Sequence, residues 1–255
     1  MTGMAPEHCE NLYEQIADQP FVSEGIRPGG IRLTRRGLAL ARLVQDDVAL
    51  DIGCGNGVTV EFLVHEHSIR AMGIDSSSAL VSQGRAKNPA LSLLVGDAEA
   101  LPFADESFEA VLLECVLSLV TDRPRVFREC HRILKPFGGI IVTDIYARNP
   151  AAVPELKNLS THSCLRGALD KNQLFYESST AGFGNACFED HSELLRDFAV
   201  QMIWAYESLD PFWHRLASCN ADCSEVRRAV RQTRPGDFLF VGSKAVEKSE
   251  SYEVS

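Results

Sequence analysis

Short apolar runs alternate with longer amphipathic stretches along this chain. Residues 48–52, 68–74, 91–95, 107–114 and 140–145 are brief and rich in Val, Ile and Leu, the pattern of strands buried on both faces. Residues 79–87 and 124–134 between them have helical character. Five strands and intervening helices over 48–145 predict an α/β fold, a mostly parallel Rossmann-like sheet with right-handed crossovers. Upstream, residues 34–44 carry apolar side chains at 38, 39, 40, 43 and 44 and predict a helix. Residues 5–18 are also helical in character and are expected to pack over the cleft, whereas 21–31 is a Pro/Gly-rich loop. Beyond 145 the pattern loosens. Residues 146–172 read as a loop or lid and 173–181 as a helix ending at Gly182. A short strand at 187–190, helical stretches at 192–205 and 209–231, and a closing strand at 237–245 follow. The charged tail 247–255 is expected to be disordered.

The run Val48-Ala49-Leu50-Asp51-Ile52-Gly53-Cys54-Gly55-Asn56-Gly57 ends a buried strand in an acid and a glycine-rich turn. Glycines at alternate positions leave no Cβ atoms on the loop, so a ligand can lie directly on the backbone. The dinucleotide fingerprint, G-x-G-x-x-G, sets a pyrophosphate on a helix N-terminus. Here the spacing is D-x-G-x-G-x-G, with Val at 58. A second acid, Asp75, closes Gly73-Ile74-Asp75, 24 residues after Asp51 and at the end of the next strand. It can accept hydrogen bonds from both hydroxyls of a ribose, while one of the serines in Asp75-Ser76-Ser77-Ser78 caps the helix that follows. Three further features come in order: Gly96-Asp97-Ala98 leading to Leu101-Pro102-Phe103; the strand 107–114 ending at Glu114; and Lys135-Pro136-Phe137-Gly138-Gly139 before the fifth strand.

Together and in this order, these five features resemble the class I S-adenosylmethionine-dependent methyltransferases over about residues 30 to 145. The Leu-Pro-Phe after Gly-Asp-Ala is similar to the branch that includes quinone-biosynthesis C-methyltransferases and arsenite methyltransferases. The resemblance implies seven strands with the last inserted antiparallel, and S-adenosylmethionine as cofactor. It implies that Asp51, Gly53, Cys54, Gly55 and Gly57 carry the methionine end. By the same resemblance Asp75 and Ser76 meet the ribose, Asp97 and Ala98 the adenine, and the backbone at Glu114 the methionine amino group. Phe137 stands where the family has a glycine after Lys-Pro, in a turn with a structural part to play. The implied organisation is one methyltransferase domain, 1–246: a helical cap at 1–45, a cofactor core at 46–145, a lid and acceptor-side insertion at 146–235, and a closing strand at 236–246.

Composition narrows the acceptor. The net charge is −10, and the short basic runs at 35–36 and 227–228 do not make the cationic face that nucleic acid requires. The position after the fourth strand reads Glu114-Cys115-Val116-Leu117, not the Asn/Asp-Pro-Pro-aromatic motif that goes with methylation of nucleobase amines. The first 19 residues carry no basic n-region or apolar h-region, and no run reaches membrane-spanning length. A cytoplasmic protein with free thiols, acting on a small molecule and not at a membrane, is the expectation.

Methyl transfer is an in-line displacement whose rate comes mostly from positioning, with a base needed only for a protonated acceptor. Acceptor-side residues are expected at the carboxyl ends of strands and in the lid: Cys115 and Ser118, Tyr146 and Arg148, His162 and Cys164, with Tyr13 covering the methionine moiety. His65 and His67 are two apart on a helix and face different ways, so no metal site is expected there. Cys219 and Cys223 are four apart and share a helix face. Three functions remain open: methyl transfer to a hydroxylated or quinol-like compound, methylation of thiol-bound arsenite, and non-catalytic binding of S-adenosylmethionine.

Overall fold

The computed structural model describes residues 13–14, 27–157, 163–209 and 223–245. It opens with α1 (Ile31–Ala41), whose buried Leu33 and Leu38 lie on one face and whose left-handed C-cap, Arg42, turns the chain toward the sheet. Strands and helices then alternate: β1 (Val48–Ile52), α2 (Val58–His67), β2 (Arg70–Asp75), α3 (Ser78–Lys87), β3 (Ser92–Val95), β4 (Phe108–Glu114), α4 (Arg123–Ile133) and β5 (Leu134–Ala147). After a 3-10 turn at Pro150–Ala152 come α5 (Val153–Lys157), α6 (Lys171–Thr180), β6 (Phe183–Asp190), α7 (Ser192–Tyr206), α8 (Cys223–Thr233) and β7 (Pro235–Lys244).

The seven strands form one sheet in the order β3-β2-β1-β4-β5-β7-β6. β1 pairs in parallel with β2 and β4, and β7 runs antiparallel between β5 and β6. Order reverses at β1, where the first connections run outward to β2 and β3 and the next crosses back to β4. Such a reversal opens a crevice beyond the carboxyl ends of the strands.

Period-two alternation sorts the strand residues onto two covered faces. Leu50, Ile52, Val111, Leu113, Phe238 and Phe240 pack with Phe127 and Ile133 of α4 and Leu174 of α6. Ala49, Ala110, Leu112, Ile141 and Leu239 pack with Leu33 and Leu38 of α1 and Leu63 of α2. Arg123 binds both carboxylate oxygens of buried Glu177, at 2.9 and 3.1 Å, and ties α4 to α6.

Several boundaries differ from the sequence reading for identifiable reasons. β5 begins at Leu134, not at 140, because Leu134 already pairs with Phe108 and the ladder resumes at Gly139 opposite Ala110 after a register shift. The turn between them holds Phe137 at φ 65° with its ring exposed. α6 starts at Lys171 because Asp170 accepts the N–H groups of Asn172 and Gln173. β6 extends from 183 because Phe183 and Gly184 pair with β7 beyond a bulge. Within the expected lid, α5 forms at Val153–Lys157 and Leu169 bridges to Tyr146. The expected cap helix at 5–18 (apart from 13–14), the region 210–222 and the tail 247–255 lie outside the described residues.

Candidate functional site

The cleft at the carboxyl ends of β1, β2 and β4 is built on the glycine turn. Gly53 and Cys54 both donate to the Ile74 carbonyl, at 2.7 and 3.1 Å, which locks the turn against the end of β2. The three glycines have positive φ, 74°, 54° and 87°, but face different surroundings. A Cβ on Gly53 would fall 2.3 Å from Val116, and one on Gly57 2.9 Å from Leu93. A Cβ on Gly55 would meet nothing nearer than 3.9 Å. Gly55 therefore leaves its backbone open to a ligand, while Gly53 and Gly57 permit close packing. Gly57 does not line the cleft. Cys54 is buried against Gly73, and burial pushes its thiol far above the usual range, so it stays protonated.

Asp75 is held with one oxygen on the Gly55 N–H (2.7 Å) and the other on the Ser77 N–H (2.8 Å). Each oxygen keeps further lone-pair capacity for hydroxyl donors. Ser77, not Asp75, caps α3, accepting from Leu80 N–H at 3.1 Å. Its hydroxyl also donates to Glu14 at 2.6 Å. Asp97 turns its own loop by accepting from Glu99 N–H, and Glu99 in turn accepts from Thr121 and Asp122. Asp51, Gly53, Cys54, Gly55, Asp75, Ser76, Asp97, Ala98, Glu114 and Cys115 all line this cavity of about 380 Å³. That volume falls in the range of small-ligand sites.

Two acids sit at the back of the cleft. Asp51 is buried, and its carboxyl is pushed well up, first by burial and then by Glu114 and Asp75, against the opposing Arg27. Glu114 contributes a side chain as well as a backbone. Its carboxylate accepts from Thr34 (2.6 Å) and Thr59 (2.7 Å) and pairs with Arg27 at 2.7 Å. Arg27, in the turn before α1, carried no weight in the sequence because nothing in a Pro/Gly-rich loop marks one arginine as buried.

A second cavity, of about 790 Å³, adjoins the first and shares Tyr13, Ser76, Leu119, Val120 and Thr121 with it. Tyr13 lines both, and its hydroxyl accepts from Cys164 N–H at 3.0 Å. Cys115 follows β4 at φ 59°, and its buried thiol meets that of Cys164. This contact, burial and nearby acids push the Cys115 thiol well up, so Cys115 stays protonated near pH 7. Beneath it lies Asp144, fully buried, accepting from Ser118 N–H (2.9 Å), Ser118 Oγ (2.6 Å) and Ile145 N–H (2.7 Å). Burial outweighs these bonds and pushes its carboxyl up to about 6. Asp237 on β7 is pushed well up by burial and by Asp144, and its Oδ2 has no partner among the described residues. Both acids interrupt otherwise apolar strands, which is the signal the sequence carries for them.

Tyr146 and Arg148 do not reach either cavity. Tyr146 donates to Asp190 at 2.8 Å and packs edge-on against Phe188 and Phe238, because β5 turns it toward β6. Arg148 donates to the Arg234 carbonyl at 3.1 Å on the surface. His162 and Cys219 lie outside the described residues, and Cys223 starts α8. Among the described residues no group of three or more His, Cys, Asp or Glu is arranged to hold a metal ion, and no helix is long and apolar enough to cross a membrane.

Comparison with known proteins bears on this geometry. The family model described as a methyltransferase domain matches residues 50–142. The chain is 29% identical over 152 residues to demethylmenaquinone methyltransferase of Thermotoga maritima, covering 58% of this chain and 66% of that protein. It is 32% identical over 157 residues to 2-phytyl-1,4-naphtoquinone methyltransferase of Synechococcus elongatus, covering 57% and 67%. With arsenite methyltransferase of Halobacterium salinarum it shares 29% over 155 residues, 57% of this chain but 39% of that protein. The chain thus spans two thirds or less of the first relatives it matches. Among solved structures, phosphoethanolamine N-methyltransferase 2 of Haemonchus contortus, in complex with S-adenosyl-L-methionine, superposes with a TM-score of 0.66 at 20% identity, over 92% of this chain and 56% of that one. The cyclase SpnF superposes with a TM-score of 0.72 at 22% identity, over 92% and 95%. These likenesses speak to fold, and one fold carries many reactions.

Proposed function

The chain belongs to the class I S-adenosylmethionine-dependent methyltransferases, and we propose from that premise that it moves the cofactor's methyl group to a small-molecule acceptor in the second cavity. The observation that carries the reading is the junction of the two cavities at Tyr13, Ser76 and residues 119–121. Cofactor and acceptor would meet there, and proximity supplies much of the rate.

The residues fit the cofactor by their donor set. Gly55 leaves open space over its backbone. Asp75 has acceptor capacity for two ribose hydroxyls, with Ser76 beside it. Asp97 and Ala98 flank the adenine end, and Asp51 and Glu114 offer carboxylate to the methionine ammonium. When bound, the cofactor supplies an electrophilic methyl on a sulfonium. The chain's part is to hold it, to line up the acceptor and to exclude water.

The paired thiols favour a second, more specific reading of the acceptor. Cys115 and Cys164 converge beside the cleft from different segments, and a thiol-bound metalloid would take both after losing their protons. Cys115 lines the first cavity and neither thiol lines the second, so the pair supports the arsenite reading only for a metalloid bound beside Cys115. Release of S-adenosylhomocysteine should be measured with arsenite plus thiols and, separately, with quinols plus hydroxylated aromatics. Turnover only with arsenite, abolished by Cys115→Ser and by Cys164→Ser while cofactor binding persists, supports the thiol site. Turnover only with the organic pool rejects it, and none with either rejects both acceptor classes.

A further inference from the structure

Resting on the reading that the acceptor occupies the second cavity, we infer that this acceptor is an organic oxyanion, a carboxylate or a phosphate ester, held by Lys157, Ser163 and Arg166. The two cavities carry opposite charge. Asp51, Asp75, Asp97, Glu99 and Glu114 line the first, with Arg27 as its one Lys or Arg among the described residues. Arg123, Lys157 and Arg166 line the second, against Asp122 and Glu177. Both oxygens of Glu177 bind Arg123, which takes that pair out of the balance. Asp122 turns one oxygen to the Arg125 N–H as the cap of α4. Neither Lys157 nor Arg166 forms an ion pair with any described residue. In a chain of net charge −10 this wall is a local reversal of sign.

Local structure brings the three donors together. Lys157 is the last residue of α5. Arg166 Nε donates to the Lys157 carbonyl at 3.3 Å, and the Arg166 N–H to the Ser163 carbonyl at 3.1 Å. Arg166 thus ties the end of α5 to the turn at 163–166 and keeps its two Nη groups for another acceptor. Gly167 seats this turn. A Cβ there would fall 1.7 Å from the Ser118 carbonyl oxygen, so a glycine is what lets the segment press on the loop after β4. That loop carries residues 119–121, where the two cavities join. Ser163 is the independent sign of a ligand. It lines the cavity, is 4% exposed, and its Oγ has no hydrogen-bond partner among the described residues. A buried hydroxyl without a partner is unfavourable, and an oxyanion between the two cations would accept its proton. The Nη edge of Arg166 matches a carboxylate or phosphate in plane, and Lys157 adds a point charge. A neutral acceptor would strip water from both cations and return no counter-charge. Opposite walls also sort the ligands: the sulfonium and ammonium of the cofactor favour the acidic cavity, and an anionic acceptor favours the cationic one.

Calorimetry on the full chain saturated with S-adenosylhomocysteine would compare two pairs of probes that differ in charge: benzoate against benzamide, and phenyl phosphate against phenol. The first pair reads a carboxylate and the second a phosphate. At least one anion should bind about tenfold more tightly than its neutral partner, the scale of one charge-assisted hydrogen bond. Arg166→Gln and Lys157→Gln should each cut that preference about two- to fivefold, as for a solvent-exposed ion pair, and the double variant should bring it to within about twofold of none. Ser163→Ala should weaken the anion more than its neutral partner, which loss of a merely structural hydroxyl would not do. Arg228→Gln removes the same charge from an exposed position of α8 and should leave the preference unchanged. No preference for the anion in either pair, whether or not the neutral probes bind, overturns the inference. So does a preference that survives the double variant or falls equally in Arg228→Gln. Failure of the wild type to bind S-adenosylhomocysteine at the outset overturns the cofactor reading, and the inference with it, which keeps the two failures apart.

Discussion

Asp144 makes the fold's stability depend on pH in a direction opposite to most acids. Its carboxyl is raised from 3.8 to about 6 in the folded chain, because loss of hydration outweighs its three hydrogen bonds and a distant attraction to Arg123. Between about pH 4 and 6 the unfolded chain has released this proton while the folded chain still holds it. The folded state thus binds more protons, and stability falls as pH rises through that window. Above pH 6 both states are ionised and the slope from this group ends. Raising the carboxyl from 3.8 to about 6 corresponds to about 3 kcal/mol. The carboxyl of Asp237, across the β5–β7 ladder, is also raised, so ionising Asp144 pushes its neighbour further up. Asp144→Asn removes the titration. The amide leaves one backbone N–H, of Ser118 or Ile145, without its acceptor, a pH-independent cost of about 1–3 kcal/mol. The slope is therefore the readout, not the absolute stability. Urea unfolding at intervals from pH 4 to 8 should show the wild type losing about 3 kcal/mol relative to the variant by pH 7. Parallel profiles would refute the claim that burial controls this acid.

Four other substitutions separate the roles of individual residues. Gly53→Ala should destabilise the fold by about 2 kcal/mol or more, since its Cβ strikes Val116 at 2.3 Å. Gly55→Ala, into open space, should cost only the strain of positive φ, about 1–2 kcal/mol, while cutting affinity for S-adenosylhomocysteine; thermal melts with calorimetry distinguish the two. Asp75→Ala should weaken S-adenosylhomocysteine binding by about 1–3 kcal/mol, and unchanged affinity in a folded variant would remove the ribose role. Phe137→Gly should raise the melting midpoint, because relief of about 1–2 kcal/mol of left-handed strain exceeds the entropy of a glycine and the ring is exposed.

The first cavity was legible in the chain because its parts are local. A strand, a glycine turn and a following helix lie within ten or twenty residues of one another, and the acid that ends each strand is fixed by strand length alone. Period and spacing led to the succession of strands through β5, to the glycine turn and to Asp75, and the family resemblance they carried pointed to Asp51 and Asp97. What faces the acceptor was not legible, because it depends on which long-range pairs the sheet forms. The alternation that puts Tyr146 at a strand end does not say that β7 and β6 will turn its hydroxyl to Asp190, 44 residues away. Arg27 and Glu114 are 87 residues apart, and only the packing of α1 and α2 on the sheet buries them together. Cys115 and Cys164 look unrelated in sequence and meet because the segment after β5 folds back over the end of β4. The sequence alone determined the fold class and the cofactor loop, through local periodicity and backbone freedom. Only tertiary structure decided which buried charges pair, which thiols meet and where the second cavity opens, because burial and long-range contact belong to the packed chain and not to any segment of it.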